Sequence, residues 1–313
     1  MIFNVYSYTH ISGTDGLPLS VLRIESNEVS PIKGIVQIVH GMCEHKERYV
    51  EFMKFLASNG FVTVIHDHRG HGESIRSSDD LGYMYEGGYK AMVEDIHEIT
   101  VETKKYVSDE LGFMNIPYIL MGHSMGSLAV RCYIKKYDYE IDKLCVLGCP
   151  SKMGGVNAGL LLIRLLKLIK GEKGLSKIMD YLITDSRLKS KFISDGPVGW
   201  LCSDPEVGRK YLEDPLCRFR FTLNGYENML RLLLWTYSKD GYVLKNPGLK
   251  GKFFSGKDDP CAISYKNLRE AMLLIKQSGY KNVSGKMYKG MRHEILNERE
   301  NARVYRDILD FIS

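Results

Sequence analysis

The sequence predicts an α/β protein built on a mostly parallel sheet with helices on both faces. Three observations predict it. Short apolar runs alternate with longer amphipathic segments along most of the chain. Most of those runs are continuous rather than alternating, as strands covered on both faces should be. A single segment, from about 150 to 246, interrupts the alternation with helical and irregular pattern.

The elements follow in order. Residues 3–24 contain a Gly/Asp/Pro turn between Gly13 and Pro18 and read as an antiparallel hairpin on the sheet edge. GIVQIVH (34–40), FVTVIHD (61–67), YILMG (118–122), KLCVLG (143–148), KFFSG (252–256) and VSGKMYK (283–289) read as strands. Helical patterns cover 49–58, 89–111, 128–137 and 265–278. The interruption carries Asp-Pro breaks at Asp204-Pro205 and Asp214-Pro215. An insertion between two strands of an open sheet is expected above the strand ends. The domain expectation is therefore a core of 1–150 and 247–313, with a helical cap over 151–246.

Composition narrows the function. With 313 residues, 44% hydrophobic and 26% charged, the chain can bury a substantial core. MIFNVYSYTH lacks a basic start followed by an apolar run, and no stretch of 18 apolar residues occurs. The expectation is a cytoplasmic protein, either free or peripheral at the inner membrane surface. Seven cysteines without C-x-x-C spacing read as free thiols, and no metal site or cofactor is expected. The formal charge of +5 sits in one place: residues 151–235 hold 14 Lys and Arg against 9 Asp and Glu, and the remainder holds 29 of each. That excess is too small for a nucleic-acid partner, and no binding motif accompanies it.

Gly122-His123-Ser124-Met125-Gly126 matches G-x-S-x-G between an apolar strand and a helical run. A nucleophilic serine on a strand-to-helix turn needs small residues two positions away on either side, so that the turn can close. A base must follow such a serine in the chain. Eight of the nine histidines precede Ser124, which leaves His293. The acid should follow a strand between them. Gly256-Lys257-Asp258-Asp259-Pro260 offers two carboxylates; Asp259, fixed by Pro260, is favoured and Asp258 remains the alternative. Asp204 lies in the insertion and reads as a turn residue. The acid would hold the tautomer of His293 and stabilise its charged form. The oxyanion of a tetrahedral intermediate needs two donors. The N–H of Met125 is one, and the N–H of Met42, after the strand ending His40-Gly41, is the other. Asp67-His68-Arg69-Gly70-His71-Gly72 fits neither H-E-x-x-H nor a P-loop and reads as a buried polar loop. Cys43 and Cys261 are expected to flank the mouth.

Together, His40-Gly41-Met42-Cys43-Glu44-His45 with Arg48-Tyr49, residues 67–74, the serine motif, Gly256 to Pro260 and His293 resemble the monoacylglycerol lipase and lysophospholipase family of α/β-hydrolases over about residues 30–300. The resemblance implies hydrolysis of a single acyl ester of a lipid, no cofactor and a helical lid over an apolar tunnel. It also implies Asp259 as the acid, and Glu44 and Arg48 as support for the polar end of the pocket. One position departs. The animal monoacylglycerol lipases carry a second histidine three residues after the catalytic one, and here that residue is Leu296. His293 to Glu298 look more like the bacterial lysophospholipase-like members, so the head group stays open.

Within the insertion, residues 158–170 read AGLLLIRLLKLIK. Arg164, Lys167 and Lys170 recur at a spacing of three, with leucines elsewhere. Two outcomes are expected equally: a helix that lies on an anionic lipid surface, or one that packs its leucines on the domain below.

Overall fold

The computed structural model describes residues 2–29, 31–183 and 190–313. Eight strands form one sheet in the order β1-β2-β4-β3-β5-β6-β7-β8. They are β1 (Phe3–Ile11), β2 (Pro18–Ser26), β3 (Gly34–Val39), β4 (Phe61–His66), β5 (Tyr118–His123), β6 (Lys143–Leu147), β7 (Lys250–Gly256) and β8 (Val283–Tyr288). The first two form the expected edge hairpin, and β2 continues antiparallel onto β4. All other pairings are parallel.

Every residue of β3, β4 and β5 is buried, which is why these runs lack polar alternation. Neighbouring side chains still divide between two cores, because successive Cβ atoms point to opposite faces. Ile35, Leu120, Val146 and Phe253 pack on one face, under α2 (Gly88–Asp109), α3 (Met125–Tyr137) and α8 (Tyr265–Gln277). Val36, Met121, Leu147 and Phe254 pack on the other, under α1 (Val50–Ala57) and α9 (Asn301–Ile312).

Between β6 and β7 stand α4 (Val156–Lys170), α5 (Lys177–Asp180), α6 (Pro205–Glu213) and α7 (Leu223–Tyr237). Residues 184–189 of the expected cap lie outside the described residues. The Asp-Pro breaks now have local causes. Asp204 caps α6, accepting from the Glu206 N–H at 3.0 Å, with Pro205 at the first helical position. Asp214 ends the same helix and accepts from the Leu216 N–H at 2.8 Å. Helix α7 packs against α3 and α4, which seats the insertion on the core beside the end of β5.

The helix expected at 158–170 resolves unevenly. Val156, Leu160 and Ile163 are its buried residues. Leu161, Leu165, Leu168 and Ile169 are exposed, the last two more than 80%. Lys167 is not part of a free basic face, because its ammonium pairs with Glu227 and, at 2.7 Å, with Glu172.

Candidate active site

Ser124 stands between β5 and α3, with φ of 52° and ψ of −118°. A non-glycine residue at positive φ is strained and persists only where its surroundings hold it. Here the Ser124 N–H donates to the Leu147 carbonyl at 3.0 Å, and α3 begins at the next residue. The flanking glycines are required by contact. A Cβ on Gly122 would lie 2.4 Å from the carbonyl oxygen of Gly126, and one on Gly126 would lie 2.1 Å from that of Val39. The helix starts earlier than its sequence pattern indicated, since the first turn is held by the elbow rather than by an apolar stripe.

The structure brings three of the expected side chains into line. His293 Nε2 lies 2.8 Å from Ser124 Oγ. His293 Nδ1 lies 3.0 and 3.1 Å from the two carboxylate oxygens of Asp259. Asp259 also accepts from the Cys261 N–H at 2.8 Å. Burial pushes the Asp259 carboxyl up, but the charge and hydrogen bond of His293 outweigh it and hold the group below its usual value. Asp258 faces Lys191 at 3.4 Å, away from the imidazole. The β7 turn can pass under the histidine loop because residue 256 is glycine. A Cβ there would lie 2.1 Å from the Arg292 carbonyl oxygen.

Met125 is the first residue of α3, so its N–H is among the donors a helix start leaves without an intrahelical acceptor. The loop carrying Met42 lies close by. A Cβ on Gly41 would approach the Ser124 Cβ to 3.0 Å, and both methionines line the same cavity.

Behind this loop sits a buried polar network. Glu44 accepts from the Gly41 N–H, from Tyr49 Oη at 3.0 Å, from His123 Nδ1 at 2.9 Å and from Arg48 Nη1 at 3.0 Å. Arg48 also forms a two-pronged pair with Glu294 at 2.9 and 2.7 Å. Glu44 reaches the cavity wall, whereas Arg48 is not among the residues lining it. Burial raises the Glu44 carboxyl, but His123 and then Arg48 hold it well below the usual range. Burial likewise opposes the charge on His123, and Glu44 restores it, so that imidazole is held above its ordinary value.

His123, Glu294 and Trp200 are parts of the site that sequence reasoning did not single out. Trp200 packs its ring 5.2 Å from that of His293. Only the position of His123 inside the serine motif hinted at it. The loop 67–72 behaves as expected. His68 donates its N–H to His40 Nε2 at 2.9 Å, and Arg69 binds Asp95 and Asp15, all of them buried.

A cavity of 690 Å³ opens onto Ser124. Its walls include Leu128, Met153, Phe221, Met229, Leu230 and Leu233, and Cys43 and Cys261 both border it. A serine hydroxyl, an imidazole and a buried carboxylate in hydrogen-bonded series, under an apolar chamber, are equipped for nucleophilic acyl transfer.

A sheet of this topology with this serine turn defines a serine hydrolase of the α/β-hydrolase fold. The chain belongs to the family described as serine aminopeptidase, S33, whose model matches residues 30–300. Among curated proteins it is 26% identical to a monoacylglycerol lipase of Mycolicibacterium smegmatis, over all of this chain and 99% of that one. It is 23% identical to a phospholipase of Bacillus subtilis, over 87% of this chain and 92% of the other. Its fold matches the crystal structure of a thermostable carboxyl esterase from Bacillus coagulans in complex with glycerol, with TM-score 0.84 and 24% identity. That match covers 100% of this chain and 98% of the other.

Proposed function

We propose that the protein hydrolyses one acyl ester of a lipid, a monoacylglycerol or lysophospholipid, through an acyl-enzyme on Ser124. The observation that carries this reading is the 690 Å³ chamber with apolar walls opening onto the serine hydroxyl. In this reading Ser124 attacks the ester carbonyl while His293 takes its proton, and Asp259 stabilises the imidazolium. The N–H groups of Met42 and Met125 bind the oxyanion. The alcohol leaves with the proton from His293, and water then cleaves the acyl-enzyme by the same path. No step calls for a cofactor. The names of the monoacylglycerol lipase and phospholipase relatives support the substrate class.

The family description raises a peptide substrate as the competing reading. An aminopeptidase must bind a free ammonium group, and Glu44 and Glu294 both border the cavity. Their charges are already matched by Arg48 and His123, and that of Asp180 on the same wall by Arg220, so among the described residues the wall offers no uncompensated carboxylate for an ammonium. This charge balance favours the ester.

Residues 151–246 serve as the cap in the same reading. No helix of the described residues is long and apolar enough to cross a membrane. The exposed Leu161, Leu165, Leu168 and Ile169 support a cap that rests on a lipid surface, where Arg164 and Lys170 meet anionic head groups.

The test is a matched panel of monoacylglycerol, lysophosphatidylcholine, p-nitrophenyl ester and aminoacyl anilide. Long-chain monoacyl lipids should turn over with the highest kcat/KM. Preference for short aryl esters would instead make the protein a soluble carboxylesterase, and turnover confined to the anilide would defeat the ester reading.

A further inference from the structure

Away from the serine, the fold assembles a second set of chemically active side chains. His45 lies on the loop after β3, between Glu44 and Lys46. Asp214 and Cys217 lie in the insertion, just after α6. One imidazole nitrogen, a carboxylate oxygen and the thiol sulfur all lie within 4.8 Å of one another. His45 and Cys217 are buried, with 6% and 1% exposure, and Asp214 is half-buried. Among the described residues, the only other such group is Asp259, Cys261 and His293, which the serine site already uses.

We propose that His45, Asp214 and Cys217 form a binding site for a zinc-class divalent cation, which ties the core loop of residues 41–48 to the inserted segment. Three features of the cluster lead there.

The first is the donor set. One nitrogen, one carboxylate oxygen and one sulfur suit zinc, cobalt or nickel. Magnesium and calcium prefer oxygen alone. The second is the far side of the imidazole. His45 Nδ1 lies 2.6 Å from Glu47 Oε2. A carboxylate on one ring nitrogen fixes the tautomer that presents the other as a metal ligand, an arrangement usual behind metal-bound histidines. The third is size. Bonds of about 2.0–2.3 Å in a tetrahedron set ligand atoms roughly 3.3–3.7 Å apart. His45 Nε2 and Asp214 Oδ2 now sit at 2.7 Å, so the pair needs to open by under about 1 Å to admit the ion. Cys217 also borders the catalytic cavity.

Protons balance the step. Binding expels the Nε2 proton of the imidazolium and the thiol proton of Cys217, and the ion takes their places. Affinity therefore rises with pH wherever both protons must leave. Until the ion enters, the same atoms form an ion pair joining the same two segments.

The experiment uses cobalt as the probe. The protein, treated with chelator and desalted, is titrated with Co²⁺ at pH 8. One equivalent should produce a thiolate-to-cobalt absorption band in the near ultraviolet. The band should vanish in Cys217→Ser and in His45→Ala and persist in Cys261→Ser. No band, or a band that survives Cys217→Ser, overturns the proposal. A band lost only in Cys261→Ser moves the metal to the serine site and overturns it equally. Should the variants fold poorly, zinc should slow alkylation of Cys217 in the wild-type protein at least tenfold while leaving Cys202 unaffected. Equal rates at Cys217 with and without zinc would also overturn it. These readouts do not depend on the ester substrate, so they stand or fall apart from the proposed hydrolysis.

Discussion

His123 donates its Nε2 proton to the carbonyl oxygen of His293 across 3.3 Å, so the residue before the serine holds the backbone of the residue that faces it. Its other nitrogen is anchored on Glu44, and Arg48 links Glu44 to Glu294, the next residue after His293. The network braces the loop that carries the imidazole. We expect His123→Ala to lower kcat by about 10–100-fold with little change in KM, since a misplaced base costs the reacting geometry more than binding. The same variant strands buried charge on Glu44, so Tm should fall as well. Steady-state kinetics and a thermal melt check both.

Asp259→Asn should reduce kcat by about 10⁴-fold, because an amide leaves His293 in the wrong tautomer and its charged form unsupported. Asp258→Asn, whose carboxylate faces Lys191 instead, should stay within about twofold. Comparison of kcat for the pair decides which carboxylate serves.

Ser124→Ala should abolish labelling by a fluorophosphonate probe and lower turnover by at least about 10⁴-fold. Gly126→Ala should fail earlier, at folding. Its new methyl group would meet the Val39 and His40 carbonyl oxygens at 2.1 and 2.4 Å, backbone atoms that cannot rotate away. A loss of at least about 3 kcal/mol in denaturant unfolding is expected.

His10 on β1 sits between Glu102 at 2.6 Å and Glu98 at 2.9 Å on α2. The Glu102 hydrogen bond, helped by Glu98 and opposed by burial, raises the imidazole to about 9. A group whose pKa is higher folded than unfolded stabilises the protein fully below its ordinary value near 6.5. That contribution is lost as pH rises through 9. Melts of wild type and His10→Gln should therefore differ most at or below pH 6 and converge above pH 9.

Leu168→Glu with Ile169→Glu should cut binding to anionic vesicles at least tenfold and leave hydrolysis of a water-soluble ester unchanged. Both side chains are exposed, so their replacement leaves the packed face of α4 intact. Vesicle flotation at low and high salt reads the effect.

The sheet was legible because burial on both faces demands unbroken apolar runs. β3 to β7 can be read as such runs, and each ends within two residues of its expected position. Ser124 and His293 were legible because an elbow needs glycines that no other residue can replace, and because a single histidine follows it. The choice between Asp258 and Asp259 was half legible. Adjacent residues on a turn point in different directions, and only the folded loop shows which one faces the imidazole. What the sequence could not hold was any contact between distant segments. His123 stands at a variable position of the serine motif and Glu294 carries no motif of its own, and their roles arise when two loops 170 residues apart meet. His45 and Cys217 are likewise ordinary until the segment after α6 lies against the loop after β3. The fate of the leucine helix was open for the same reason. Its amphipathic pattern suits water-facing membrane contact and internal packing alike, and only tertiary packing decided that Leu160 and Ile163 turn inward while Leu168 and Ile169 stay exposed. Local pattern thus determined the elements and the serine turn, because both depend on neighbours in the chain. Side-chain partnership was left to the fold, because it depends on neighbours in space.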